Sequence, residues 1–284
     1  MKHRTHLLLI DPQNDFCDLP AEWCPLDPLS GARLGPALPV PGAHADMQRV
    51  AQLIDAAGGG LDQITVTLDS HHRIDIAHPA FWSAPLGEPV PPFTAITAAQ
   101  VRAGQWRPRE AGALPRALAY LDELEARGRY TLMVWPVHCE IGSWGHNVHS
   151  AVRAAYNRWE EATLTSVHKV VKGDNPWTEH YSALLAEVPD ADDPDTQLNR
   201  ALIERLDEAD LILVAGEASS HCVKATTEHL VANLGGRPDR VVLLTDCMSP
   251  VAGFEAQHAA FLADMRARGV RLATSKDVAS LLPV

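Results

Sequence analysis

The sequence predicts an α/β fold in which a mainly parallel sheet is covered by helices on both faces. Three observations carry this. Short apolar runs, such as LLLI at 7–10 and LILVA at 211–215, have the length of buried strands. Longer amphipathic segments alternate with them along the whole chain. Glycines stop the helical patterns, most clearly at Gly58-Gly59-Gly60 and Gly235-Gly236.

In chain order, strands are predicted at 5–10, 63–68, 130–134, 163–171, 211–215, 241–245 and 270–273. Helices are predicted at 43–57, 115–127, 146–159, 178–187, 196–208 with Thr196 as its cap, 220–233 and 253–268. The QITVTL run at 63–68 is β-branched, as a strand should be. The basic, then apolar start of the chain is too short for a signal sequence and ends at Asp11, so it reads as the first strand. Residues 79–112 are rich in Pro and Gly and read as a long irregular loop, the kind that often forms a lid or binding segment. No linker divides the chain, so residues 1–284 are expected to form one domain.

Composition excludes several classes. The chain has 284 residues, 46% hydrophobic and 21% charged, which is ordinary for a folded soluble protein. The net charge of −12 argues against nucleic acid as a partner. No apolar stretch approaches the roughly 18 residues of a membrane span. The five cysteines are odd in number and include no C-x-x-C pair, which points away from a disulfide framework and towards a reducing cytoplasm.

In open parallel sheets, ligands bind beyond the carboxyl ends of the strands. Asp11 follows the first predicted strand. Asp69, Ser70 and His71 follow the second, His138 and Cys139 the third, Lys172 the fourth, and Glu217 to Cys222 the fifth. One such residue would mean little, since an Asp after a strand is usually a turn residue. Their joint occurrence is the informative pattern.

Cys222 falls near a helix start, where free N–H groups and the helix dipole favour a thiolate and can hold an oxyanion. The bland alternative is a small buried hydrophobe. A nucleophilic Cys needs a base and a positive neighbour, and Asp11 and Lys172 are the candidates at the same edge. Asp69 and His71 stand two apart on a strand and so share one side. With His78 and His138 they make one carboxylate plus imidazoles, a donor set for a catalytic divalent metal: zinc, iron or manganese. His72 should point away, and His44, His146, His149, His168, His180, His229 and His258 read as helix or surface residues.

The stretches LLLIDPQNDFC (7–17), VTLDSHH with AHPAFW (66–82), WPVHCEIGSWG (135–145), VVKG (170–173) with YSAL (181–184), and GEASSHCV (216–223) together resemble the nicotinamidase branch of the isochorismatase-like cysteine hydrolases. The resemblance implies a doubly wound α/β unit with a six-stranded parallel sheet. Cys222 would be the nucleophile, Asp11 the general acid/base and Lys172 the third triad member. Asp69, His71, His78 and His138 would hold the metal, zinc in the first instance. Phe16 and Trp135 would sandwich the substrate ring, and the N–H groups of Ala218 and Cys222 would form the oxyanion hole. The Glu217–Ala218 peptide bond matches one that is cis in the family. The substrate would be a small amide, hydrolysed to acid and ammonia, and the protein a homo-oligomer.

Two departures stand out. Ser70 replaces the aromatic residue expected after the metal Asp, and His78-Pro79-Ala80-Phe81 replaces the usual H-x-S-F. The segment 79–129 is also a long loop and helix insertion, which would lie near the pocket and could select another amide or a carbamoyl compound. Two further readings compete: a hydrolase in which the metal activates water directly, and a non-catalytic relative.

Overall fold

A computed structural model of the chain describes residues 3–282. The strands are β1 (Thr5–Ile10), β2 (Gln63–Asp69), β3 (Trp82–Ser83), β4 (Thr94–Ile96), β5 (Arg107–Pro108), β6 (Leu132–Val134), β7 (His168–Lys172), β8 (Leu211–Gly216), β9 (Val241–Leu244) and β10 (Arg271–Ala273). The helices are α1 (Ala43–Ala57), α2 (Ala98–Arg102), α3 (Leu114–Arg127), α4 (Ser150–Thr163), α5 (Arg200–Asp207), α6 (Cys222–Asn233), α7 (Glu255–Ala267) and α8 (Val278–Leu281). None of the described helices is long and apolar enough to cross a membrane.

Six strands form one parallel sheet in the order β10-β9-β8-β1-β2-β7. The central pair, β1 and β8, is buried at every position, because helices cover both of its faces. From β1 the chain steps one way to β2, and from β8 it steps the other way to β9. Right-handed crossovers then place α1 and α6 on opposite faces. α1 packs with α4 on its side and α6 with α7 on the other. The reversal falls between β1 and β8, so the ends of these two strands border the crevice where ligands of such sheets sit.

Gly216 makes that junction possible. A Cβ there would lie 1.9 Å from the Ile10 carbonyl oxygen, and its φ of 124° suits only glycine. Glu217 N–H then donates to Ile10 O at 2.8 Å, which extends the contact past the last strand residue.

The six-stranded parallel sheet and the helix at 43–57 agree with the expectation, and three local expectations need correction. The strand predicted at 130–134 is not in the main sheet: β6 pairs antiparallel with β4, because β7 already occupies the free edge of β2. No helix forms at 178–187. There Glu179 N–H donates to Tyr120 Oη and Ala183 N–H to Thr226 Oγ1, so tertiary partners take the donors that a helix would use. The helix predicted from Thr196 starts later, with Asn199 as cap accepting from Leu202 N–H at 3.0 Å, while Thr196 ends a 3-10 turn. The long segment from 79 carries local structure of its own: β3 pairs with β5, and Thr97 and Gln100 form a capping box on α2.

His6 is buried in β1 and bonds Thr65 Oγ1 on β2 at 2.8 Å. Burial, helped by Arg205 and His168, lowers its pKa from 6.5 to about 3. The unfolded chain therefore binds a proton that the folded one refuses. Stability is full above pH 6.5 and is lost as pH falls towards 3, at about 1.4 kcal/mol per pH unit for this one group. Urea unfolding at a series of pH values between neutral and mildly acidic should show this slope, reduced in His6→Gln. An unchanged slope in that variant contradicts the assignment.

Candidate active site

The carboxyl ends of β1, β2, β7 and β8 meet around one ammonium group. Lys172 Nζ, at the end of β7, stands 2.7 Å from Asp69 Oδ1, 2.9 Å from Asp11 Oδ2, 3.0 Å from the His180 carbonyl and 3.6 Å from Cys222 Sγ. All four residues are buried, Cys222 with 6% of its surface exposed.

Each side chain is set by its backbone. Asp11 closes β1 in a left-handed conformation (φ 43°), which Asp tolerates better than most residues. Its N–H donates to Thr67 Oγ1 at 3.0 Å, and the Thr67 hydroxyl donates to Asp11 Oδ1 at 2.5 Å. Gln13 clamps the end of β2: its side-chain amide donates to Asp69 O at 2.8 Å and its carbonyl accepts from Asp69 N–H at 2.7 Å. Cys222 is the first residue of α6, and the Glu217–Ala218 peptide bond before it is cis. Among the described residues, no acceptor takes the Ala218 or Cys222 N–H group, so both remain available to an oxyanion.

Charges follow from these contacts. Burial works against the ammonium of Lys172, but Asp11 and Asp69 outweigh it and push its pKa well above the usual lysine range. Burial likewise opposes ionisation of Asp69, yet His71, Lys172 and His138 hold its carboxyl well below the usual range. For Asp11 burial wins over Lys172, and its pKa is raised. Burial also pushes the Cys222 thiol up, against the pull of Lys172, and the thiol is within hydrogen-bonding reach of Asp11. The resting nucleophile is thus a thiol beside the Asp11 carboxyl group. Asp11 Oδ2 is ion-paired with Lys172 without the alignment of a hydrogen bond, which leaves it open to a proton.

The other oxygen of Asp69 faces two imidazoles, and a third stands beside one of them. His71 Nε2 is 3.0 Å from Asp69 Oδ2 and His138 Nε2 is 3.3 Å from it, while His78 Nε2 stands 3.3 Å from His138 Nδ1. One donor atom from each of the three histidines lies within 4.8 Å of the others. Separations of this order suit bonds of roughly 2.0–2.2 Å to one shared ion. Each ring has a second partner on Nδ1: the Asp75 carboxylate at 3.0 Å for His71, the His72 carbonyl at 3.1 Å for His78, and the Pro136 carbonyl at 2.8 Å for His138. Such bonds fix the rings and leave Nε2 lone pairs for a cation, the arrangement of metal-ligating histidines. His138 reaches the cluster on a loop after β6 rather than from the main sheet. That loop is docked by His71 N–H to Cys139 O and Ile141 N–H to His71 O, each 3.0 Å.

Phe16 and Trp135 are both buried. The Phe16 ring lies 5.4 Å from that of His138, and the Trp135 ring lies 5.1 Å from His221, next to Cys222. The Trp135 indole N–H donates to Tyr181 Oη at 3.1 Å. The 79–129 segment does approach this wall, since the Phe93 ring is 5.9 Å from Trp135.

Several partners lie outside the sequence-based set: Thr67, Gln13, Asp75 and His180. His149 and His180 are buried rather than helix-face or surface residues: His180 holds Lys172 through its carbonyl, and Trp23 stacks on the His149 ring at 5.1 Å. His72 does point away, half exposed and paired with Asp174.

No protein-family model and no curated protein matches the sequence. Solved structures do. The Acinetobacter baumanii nicotinamidase/pyrazinamidase superposes with a TM-score of 0.63 at 19% identity, covering 98% of this chain and 99% of that one. The Pyrococcus horikoshii pyrazinamidase, solved in complex with zinc, gives 0.53 at 18% identity over 95% and 99%. An isochorismatase-like hydrolase from Alkaliphilus metalliredigens gives 0.54 at 14% identity over 98% of each chain. The chain has the fold these proteins share.

The histidine cluster generates a direct expectation. Metal analysis and calorimetric titration with zinc should find one divalent ion per chain. His71→Ala should abolish binding, and Asp75→Asn, which removes the negative charge facing His71 Nδ1, should weaken it roughly 10- to 100-fold. Stoichiometric binding by His71→Ala would place the ion elsewhere.

Proposed function

We propose that the protein is a cysteine amidohydrolase that splits a small aromatic amide of the nicotinamide type into acid and ammonia. The observation that carries the reading is the contact of Cys222 with both a base and a cation: Lys172 Nζ is 3.6 Å from Sγ, and the Asp11 carboxyl is within its reach. The likeness in fold to nicotinamidases and pyrazinamidases supports the choice of substrate class.

In this reading the substrate ring lies between Phe16 and Trp135, with its amide carbon over Cys222. Asp11 accepts the thiol proton as sulfur attacks, and Lys172 stabilises the thiolate that forms. The N–H groups of Ala218 and Cys222 receive the developing oxyanion, a contribution of roughly 3–4 kcal/mol per donor. Asp11 then gives its proton to the leaving ammonia, and the thioester remains on Cys222. A water deprotonated by Asp11 cleaves the thioester and regenerates the thiol. A divalent ion held by Asp69, His71, His78 and His138 would supply a Lewis acid beside the ring. Lys172 ties the two halves together, because Asp69 faces both the ammonium and the imidazoles.

The aromatic wall is extended by Phe93 from the long segment, so substrates with a larger ring or side group belong in the assay panel. Ammonia release from nicotinamide, pyrazinamide and other aromatic amides tests the reading. Cys222→Ala should lose roughly 10⁴-fold or more of kcat with its melting temperature preserved, and Asp11→Asn roughly 10²- to 10⁴-fold. Turnover that survives in Cys222→Ala would instead indicate water activated at the metal.

A further inference from the structure

Glu217 is a buried acid five residues before the nucleophile, and nothing in the mechanism above uses it. It is fully buried at the end of β8, immediately before the Ala218 N–H assigned to the oxyanion hole. Its Oε2 accepts from Ser249 N–H at 3.1 Å, while its Oε1 has no partner of ordinary donor type among the described residues. Ser249 joins it to another carboxyl group, that of Asp46 on α1: its N–H donates to Glu217 and its hydroxyl to Asp46.

Asp46 is already committed. It is ion-paired with Arg49, and its Oδ2 accepts from the Ser249 hydroxyl at 2.5 Å. The remaining groups facing Glu217 are Asp18 and the Cys17 thiol, from the segment after β1. Arg49, the cation paired with Asp46, also donates to the Asp246 carbonyl. A charged Glu217 would therefore be a bare, buried anion beside a second anion, with one oxygen unbonded. A neutral Glu217 removes the bare charge, because its hydroxyl becomes a donor aimed at a neighbouring carboxylate with lone pairs to spare. Burial, reinforced by Asp46, pushes the Glu217 pKa well above the usual range, in agreement with that geometry.

We propose that Glu217 is a positioning residue: as a neutral acid it donates to Asp46, accepts from Ser249, and so braces the oxyanion turn at 217–222 against α1 and the segment after β9. The surrounding bonds point the same way. Gly216 N–H donates to Cys247 O and Ser219 N–H to Ser249 O, each at 2.9 Å, so the turn and the 247–249 segment form one hydrogen-bonded unit. Glu217 ties that unit to Asp46. Losing the tie frees the Ala218 N–H to drift from the reacting carbonyl while leaving the aromatic walls in place. The cost should fall on kcat rather than KM. This effect on turnover rests on the amidase reading; the protonation state of Glu217 does not.

Two measurements test the proposal together. The first is the infrared difference spectrum of wild type against Glu217→Gln at neutral pH, which should show a protonated carboxyl band. Carboxylate bands in its place overturn the proposal, whatever the protein hydrolyses. The second is steady-state amide hydrolysis by Glu217→Gln and Glu217→Ala. Glutamine keeps a donor for Asp46 and an acceptor for Ser249, so its kcat should stay within about threefold of wild type and its melting temperature close to it. Alanine keeps neither, and kcat should fall roughly 10- to 100-fold with KM changed far less. A folded Glu217→Gln that loses turnover as alanine does, or a Glu217→Ala with wild-type kcat, overturns the proposal. If wild type itself releases no ammonia from any amide, the amidase reading fails and the infrared band still decides the state of Glu217.

Discussion

One buried ammonium organises this molecule. Lys172 sits between the carboxylates of Asp11 and Asp69, with the sulfur of Cys222 beside it and almost no solvent access. Removing these charges from water is expensive, and only close pairing makes it tolerable. The partners cannot be exchanged singly, because loss of the ammonium would leave two buried carboxylates facing each other. Two carboxyl groups meet this one ammonium, and the far oxygen of Asp69 faces His71 and His138. A divalent cation in that place would complete the electrostatics as well as the coordination.

The sheet delivers these groups because of where its winding reverses. β1 and β8 are neighbours whose connections leave in opposite directions, so the crevice beyond their ends is open on a parallel sheet. Asp11 arrives from one of these strands and Cys222 from the other. β2 and β7 are paired so that Asp69 lies opposite Lys172. The register that builds the sheet thus also sets the ion pair. Close contact at the crevice depends on a residue without a side chain, Gly216, packed on the Ile10 carbonyl.

Much of this was legible in the sequence, for identifiable reasons. Strands buried on both faces are continuous apolar runs, and the reactive residues stand directly after them in the chain, so β1, β2 and β8 and the placement of Asp11, Asp69 and Cys222 follow from pattern alone. Less legible was anything decided by a distant partner. LMV at 132–134 looks like any central strand, yet it joins β4 in a separate ribbon because the edge of β2 is taken. The 178–187 segment has helical periodicity, but Tyr120 and Thr226 claim its amides. Thr67, Gln13 and Asp75 carry no local signal for their roles, since each acts by a hydrogen bond to a residue already of interest. Glu217 did carry a signal: an acid directly after LILVAG is a charged residue at the mouth of a buried strand.

If the proposed amidase reading holds, the convergence of thiol, carboxyl and ammonium at one point has a direct chemical consequence, a covalent acyl-enzyme. Acid-quenched mass spectrometry during turnover of an aromatic amide measures it. The account predicts an added acyl mass on the peptide that contains Cys222, and none when Cys222 is replaced by Ala. Steady ammonia release with the Cys222 peptide unmodified, or with the acyl group on another cysteine, would contradict it.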